Sequence, residues 1–168
     1  HRVRNILNLI RGLIAQSKGG VESLEDYSAV LDQRIHALAR AHDQLTRQEW
    51  RWVPLKSLIE TEFGAFLDDG SQRVRIDGDG VLLSPRAFTT FALLLHELVT
   101  NSVKYGALSR PGGSVTVTLR FHADTGLVLD WLERGGPPVQ APSRKGFGTT
   151  IIRHSIPYDL KGEAEVDY

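Results

Sequence analysis

The segment from Leu93 to Gly106 begins as an apolar helix and ends in polar residues, and it is the strongest constraint on the fold. Glu97, Asn101, Lys104 and Tyr105 follow one another at spacings of four, three and one, so a helix places them on one face. A carboxylate, a carboxamide and an ammonium on one face are poor core residues. They suit a Mg²⁺-bound polyphosphate, because oxygen ligands take the metal and a cation takes the phosphate.

Composition narrows the class of protein further. The 168 residues carry a formal net charge of zero, so general binding to nucleic acid is not expected. The chain has no cysteine, which excludes disulfides, cysteine-based metal sites and thiol catalysis. No apolar run approaches the roughly 20 residues of a membrane span. The chain also lacks methionine and begins in a helix-like pattern, so we interpret it as a fragment.

Residues 1 to about 50 are predicted to form an antiparallel helical hairpin. Apolar residues repeat at three and four from Val3 to Ile14, and Lys18-Gly19-Gly20 ends that helix. A second helix is predicted from about Val21 to Arg47, with leucines every seven residues at Leu24, Leu31, Leu38 and Leu45. This seam favours a four-helix bundle made by two chains, with packing on the second unit as the alternative. Ser28 and His42 interrupt the seam, so a homodimer is expected and a monomer stays open.

Residues 52–168 are predicted to form an α+β unit after a boundary at Pro54. Helices are expected over 55–67 and from Pro85, after an N-cap at Ser84, to about Tyr105. Residues 73–77 and 81–83 are interpreted as strand, turn, strand, and 114–121 with 127–133 as a hairpin. A further strand is predicted to start at Ala164, and one more closing strand is expected beyond the end of the chain.

Three further groups of residues are candidates for chemistry. Gly146 and Gly148 precede a predicted helix and suit phosphate, although a two-glycine loop is more often only a turn. Trp131 and Glu133 share one face of a strand, where the acid could accept a hydrogen bond from a purine amine; an exposed acid beside a core tryptophan is the plainer alternative. His1 could act as a nucleophile, whereas a surface histidine ordinarily has no role.

In sequence order, these motifs resemble those of the HWE histidine kinases over essentially the whole chain. The residues that carry the resemblance are a phosphoacceptor box at His1-Arg-Val-Arg-Asn5, a second dimerisation helix at Arg34–Leu45, an N box at His96–Ser109, a modified G1 box at Trp131-x-Glu133 with Gly135–Val139, and a G2 box at Gly146-Phe147-Gly148. The absence of an acid directly after His1 matches this branch and leaves the proton acceptor unassigned.

The resemblance implies a fold and two domains. Residues 1–50 would be the dimerisation and histidine phosphotransfer hairpin. Residues 52–168 would be a Bergerat or GHKL ATP-binding domain, an α/β sandwich with a mixed, mostly antiparallel sheet. The expected localisation is the bacterial cytoplasm.

The resemblance also implies roles for individual residues. Asn101 would ligate Mg²⁺, Glu97 would act on water or the metal shell, and Lys104 would meet the phosphates. Glu133 would contact adenine, and Asn5 would orient His1 or a hydrolytic water. The remaining nucleotide contacts would come from Tyr105, Trp131, Gly135, Gly146, Phe147 and Gly148.

By this likeness His1 attacks the γ-phosphorus of ATP, and the phosphoryl group then passes to an aspartate in the receiver domain of a response regulator. Positioning and charge neutralisation dominate catalysis in such a transfer. The rival interpretation is a catalytically degenerate phosphotransfer or docking scaffold. A GHKL ATPase that does mechanical work is a third possibility, which the histidine-bearing hairpin disfavours.

Overall fold

The computed structural model describes residues 7, 10–15, 17, 23–67, 72–138, 152, 156–157 and 161–166. Helices come first along the chain and a mixed sheet follows, which confirms the predicted α+β class. Residues 10–15 are helical, and the Tyr27 hydroxyl donates to the carbonyl of Ile14 at 3.0 Å. This helical stretch therefore contacts the helix that follows it.

Helix α1 (Leu24–Arg47) packs against the second unit through only part of its predicted leucine seam. Its buried residues are Arg34, Ala37, Leu38, Ala41 and Leu45. By contrast, Leu24 is 76% exposed and Leu31 is half-buried. The carboxyl-terminal half of the seam thus serves the chain's own core. A dimeric bundle is not needed to cover that half.

The end of α1 is fixed by backbone hydrogen bonds rather than by glycine. The Trp50 amide donates to the Leu45 carbonyl at 2.8 Å, and the Glu49 amide donates to Thr46 at 3.0 Å. This is the Schellman pattern, which places one residue in the left-handed region. Here that residue is Glu49, with a φ of 52°, and Trp50 directly after it also has a positive φ, of 58°.

Two more helices match their predicted bounds closely. Helix α2 covers Leu55–Leu67, and helix α3 covers Pro85–Lys104. Ser84 caps α3, since its side chain accepts from the Ala87 amide, and Pro85 opens the first turn without needing an N–H donor. Ten of the twenty residues of α3 are buried, and the helix packs against both α1 and α2, so it forms the central helix of the molecule.

The main sheet has three strands in the order β2–β4–β5: Val74–Gly78, Ser114–His122 and Gly126–Arg134. β4 and β5 form the predicted antiparallel hairpin, whereas β2 pairs parallel to β4. Val115, Val117 and Leu119 of β4 are buried on the face that the helices cover. Trp131 and Glu133 lie opposite Val117 and Val115, so both belong to the same inner face.

The strands predicted at 73–77 and 81–83 are both present, but they do not pair with each other. Strand β3 (Leu82–Leu83) instead pairs antiparallel with β1 (Val53–Pro54). At Gly78 the φ is 108°, and a Cβ there would lie 1.9 Å from the Leu119 carbonyl oxygen. This close approach directs β2 along β4 and leads the following residues away from a hairpin.

Two further observations complete the fold. Residues 164–166 are not in a strand, which corrects the predicted start of a strand at Ala164. One hydrophobic cluster extends from Leu13 and Leu45 through Phe63 and Leu95 to Val117. The helices before Pro54 and the α+β unit after it therefore share one core.

Candidate nucleotide site

The last turns of α3 divide the predicted site residues between buried and exposed positions. Glu97 is only 9% exposed. Asn101 and Lys104 lie on the surface, and Tyr105, just past the helix, is 71% exposed. The carboxamide and the ammonium are thus accessible to a ligand, and the carboxylate one turn earlier is covered by protein.

Arg34 of α1 covers Glu97. Its Nε donates to Oε1 of Glu97 at 2.8 Å, and a terminal nitrogen donates to Oε2 at 3.1 Å. The other terminal nitrogen donates to the Ser17 hydroxyl at 2.7 Å. Both carboxylate oxygens of Glu97 are therefore engaged in a two-pronged ion pair, the geometry in which guanidinium binds carboxylate most strongly.

Glu133 joins the end of β5 to the turn after α3. Its Oε2 accepts from the Ala107 amide at 2.6 Å, and its Oε1 accepts from the indole Nε1 of Trp131 at 3.0 Å. The Trp131 ring stacks on buried Phe63, with 5.3 Å between the ring centroids. The two residues of the Trp-x-Glu motif are therefore held as one unit beneath the start of the short 3₁₀ helix Ala107–Ser109.

Gly106 permits this contact. A Cβ at Gly106 would stand 2.2 Å from Oε2 of Glu133 and 2.9 Å from the Cα of Ser102. Any side chain here would displace the carboxylate from the Ala107 amide. Gly135, a predicted nucleotide contact, lies just past β5 with a φ of 71°.

His96, which precedes Glu97 in α3, forms a second polar group with Glu62 of α2. Nδ1 of His96 lies 3.2 Å from Oε2 of Glu62, and Arg40 donates to Oε1 at 3.1 Å. Burial raises the pKa of Glu62, but the hydrogen bond from His96 and the charge of Arg40 outweigh it, so the net pKa lies below the ordinary value. Three helices therefore meet at one ionised carboxylate.

An open cleft of about 290 Å³ lies between parts of α1 and α3 beside this group. Its lining includes Arg40, Glu62, His96 and Lys104. The predicted phosphate contact Lys104 thus faces a cleft whose other charged residues belong to the His96 group.

Several predicted site residues lie outside the described part of the chain, namely His1, Asn5, Gly146, Phe147 and Gly148. Across the ranges that the structure describes, no three His, Asp or Glu side chains come together to hold a metal ion. The exposed Asn101 oxygen fits Mg²⁺ in its usual setting, where few protein ligands share the ion with phosphate and water. No described helix is long and apolar enough to cross a membrane.

Arg34, Glu62 and the Ala107 amide were not expected at the site. Arg34 stands four residues before Leu38 and eleven before Leu45, so a cation interrupts the buried stripe of α1. Glu62 interrupts an apolar stretch of α2 in the same way. A charge on a buried helical face was thus an available signal, because such charges are rarely buried without a partner. The Ala107 contact had no such signal.

Comparison with known proteins agrees with this architecture. The histidine kinase domain of the Erythrobacter litoralis EL346 blue-light activated histidine kinase superposes with a TM-score of 0.59 at 18% identity. The match covers 93% of this chain and 75% of that one. A second structure of the EL346 protein matches with a TM-score of 0.52 over 75% of this chain and 46% of that one, also at 18% identity. The fold is that of a histidine kinase domain.

The sequence comparisons agree with the resemblance that the motifs carry. Residues 1–80 match the sequence model of the HWE histidine kinases. The blue-light-activated histidine kinases of Brucella anthropi and Brucella ovis are each 29% identical over 171 residues, which covers 100% of this chain. The chain spans about a third of the length of these relatives, 35% in each case. The resemblance to HWE histidine kinases is therefore confirmed.

Proposed function

We propose that this chain is the ATP-using core of an HWE sensor histidine kinase. Residues 1–50 would form the dimerisation and phosphotransfer hairpin, and residues 52–168 a GHKL-type ATP-binding domain. The observation that carries the proposal is the end of α3, where Asn101 and Lys104 are exposed just after the buried Glu97. An amide oxygen and an ammonium at that position have the chemistry that Mg²⁺ and a triphosphate require.

In the proposed reaction, an imidazole nitrogen of His1 attacks the γ-phosphorus of ATP. A phosphorus–nitrogen bond forms, the bond from the γ-phosphorus to the bridging oxygen breaks, and ADP leaves with the electron pair. The imidazole N–H proton passes to an acceptor, and the phosphoryl group moves in a second step to an aspartate of a response-regulator receiver domain. Bound Mg²⁺ would neutralise charge on the phosphates.

The chain's own residues would bind and orient the substrate. Asn101 would hold the metal and Lys104 the phosphates. Glu133 would meet the adenine amine with the carboxylate lone pairs left by Ala107 and Trp131, since each carboxylate oxygen accepts two hydrogen bonds. Gly146 and Gly148 would close over the triphosphate, with Phe147 between them. Asn5 would orient His1.

One assay tests the proposal. The protein is incubated with γ-labelled ATP and Mg²⁺, and acid-labile, base-stable label on the protein is measured. We expect label in the wild type and none in His1→Ala. His36→Ala is the matched control, since His36 is another hairpin histidine with a 67% exposed side chain. Loss of label in His36→Ala, with retention in His1→Ala, would relocate the acceptor.

The alternative is a degenerate scaffold that relays phosphate or docks a regulator without using ATP. The observation that favours it is the buried Arg34–Glu97 pair, which occupies both oxygens of a predicted catalytic acid. A wild-type protein that neither takes up label nor binds nucleotide would establish this alternative.

We also propose that the hairpin forms a homodimer. Leu24 and Ile35 of α1 are 76% and 37% exposed, which supports a partner on that face. A mass measured by light scattering distinguishes a dimer from a monomer.

A further inference from the structure

The pair of Arg34 and Glu97 joins the hairpin to the proposed ATP site at one point. The residues are 63 positions apart, and their side chains are 8% and 11% exposed. Ser17, fully buried, holds the same guanidinium from the segment before α1. Three separate parts of the chain thus meet at Arg34.

Stability alone is a weak reason for such a pair. Removing two charges from water is costly, and well-packed apolar residues often stabilise a protein equally well or better. The rest of the buried face of α1 is made of Ala37, Leu38, Ala41 and Leu45, so an apolar alternative was at hand. A charged pair in this position suggests a contact that opens as well as closes.

The pair also limits what Glu97 can do. Both of its oxygens accept from the guanidinium, and the positive charge beside them opposes the approach of a second cation. Each oxygen keeps a lone pair, but the pair is buried and the guanidinium repels a metal ion, so Glu97 can join the metal shell only after Arg34 moves away. Asn101, one turn further along α3, is exposed and therefore accessible to a ligand.

We propose that Arg34 is a built-in restraint on nucleotide use, in which the docked hairpin withholds Glu97 from Mg²⁺-ATP. This inference rests on the proposed function and adds a regulatory state to it. When the pair separates, movement of the hairpin, which carries the proposed acceptor His1, would free Glu97 to act on Mg²⁺-ATP. Coupling is reciprocal: if docking weakens nucleotide binding, nucleotide must weaken docking by the same factor.

Arg34→Gln tests the restraint, because the amide keeps hydrogen-bonding groups near Glu97 and Ser17 while it removes the charge. Affinity for a nonhydrolysable ATP analogue with Mg²⁺ should rise by about fivefold or more, the usual lower size of allosteric coupling. Arg34→Lys keeps the charge but loses the two-pronged contact, so its affinity should lie between those of the wild type and Arg34→Gln. Ser17→Ala should shift the affinity in the same direction by less.

The matched control is Arg40→Gln. Arg40 also reaches from α1 to the second unit, but its partner is Glu62. We expect a smaller change in affinity than with Arg34→Gln. An equal gain in both variants would show that general loosening of α1, and not the release of Glu97, is responsible, and would overturn the proposal.

Amide hydrogen exchange on the wild type removes the dependence on a variant that folds poorly. Saturating analogue and Mg²⁺ should speed exchange over residues 30–45 of α1. Unchanged or slower exchange there, with nucleotide bound, would refute the restraint and leave the proposed kinase intact. If neither the wild type nor any Arg34 variant binds nucleotide, the proposed function fails together with the restraint. Binding by Arg34→Gln alone would support both.

Discussion

Glu133 links β5 to the turn after α3 through the Ala107 amide and the Trp131 indole, and we call this pair of contacts the clamp. Glu133→Gln is its sharpest test. The carboxylate accepts from two N–H groups, those of Ala107 and of the Trp131 indole. Glutamine has one acceptor oxygen and one NH₂ group, so it can satisfy only one of the two donors. We expect its oxygen to stay with the buried Ala107 amide, which leaves the NH₂ group facing the indole N–H.

The magnitude follows from these two bonds. A hydrogen bond to a charged acceptor contributes about 1.5–3 kcal/mol and a neutral one about 0.5–1.5 kcal/mol. Because the Glu133 side chain is half-buried, we take the lower part of each range and expect a total loss of about 2 kcal/mol. For a chain of this size, that loss lowers the Tm by about 4–8 °C.

The assay is thermal unfolding of four proteins: the wild type, Glu133→Gln, Trp131→Phe and the double variant. Phenylalanine keeps a ring over Phe63 and removes the indole N–H, so the introduced carboxamide in the double variant no longer faces a second donor. The double variant should therefore be more stable than the sum of the single losses predicts, by about 1 kcal/mol. Strictly additive losses, or a Tm of Glu133→Gln within about 1 °C of the wild type, would refute the clamp.

Three other predictions follow from single residues. Asn101→Asp should reduce histidine labelling severely, because it places a negative charge beside the triphosphate, while unfolding stays within about 0.5 kcal/mol as for other surface changes; near-normal labelling would contradict the metal assignment. Because folding lowers the pKa of Glu62, its ionised carboxylate stabilises the folded protein. This contribution is complete above the ordinary glutamate pKa of about 4.3 and is lost as the pH falls through the pKa of the folded state. Denaturant titrations should therefore show a stability gap between the wild type and Glu62→Gln at about pH 7 that narrows below about pH 4; a gap that grows in acid would reverse the sign. Glu49→Gly should stabilise the protein by about 0.5–1 kcal/mol, since glycine accepts the left-handed conformation at the end of α1 with no Cβ strain; a lower melting temperature would show that Glu49 contributes more than strain.

Local signals in the sequence predicted the helices and the hairpin well. The bounds of α2 follow from its apolar pattern, and those of α3 from Ser84 and Pro85 at its start. The alternation in β4 and β5 set both the strands and the common face of Trp131 and Glu133. In each case the deciding interactions lie within a few residues along the chain.

Contacts between distant segments were not predictable in the same way. β2 pairs parallel to β4 and not with β3, the next strand along the chain. Parallel strands are joined by long connections, so the short turn after β2 carries no information about this pairing. The leucine seam of α1 favoured a two-chain helical bundle over packing on the second unit, yet Leu38 and Leu45 pack into the chain's own core. Heptad spacing marks an apolar face without specifying what covers it.

At the candidate site, the sequence indicated the residue types and the structure supplied their partners. Asn101 and Lys104 are exposed, as a binding role requires. Glu97 is paired with Arg34, and nothing in the local pattern of either residue specified the other. The roles of these residues in nucleotide binding remain predictions.

The core shared across Pro54 has a practical consequence. Cutting the chain there would strip Leu38, Ala41 and Leu45 from the remainder and leave the Glu97 carboxylate without its guanidinium. A shortened ATP-binding fragment would expose an apolar, aggregation-prone surface around an unpaired carboxylate. Low solubility or a low melting temperature of that fragment would then result from the missing helix and not from a defect in the nucleotide pocket.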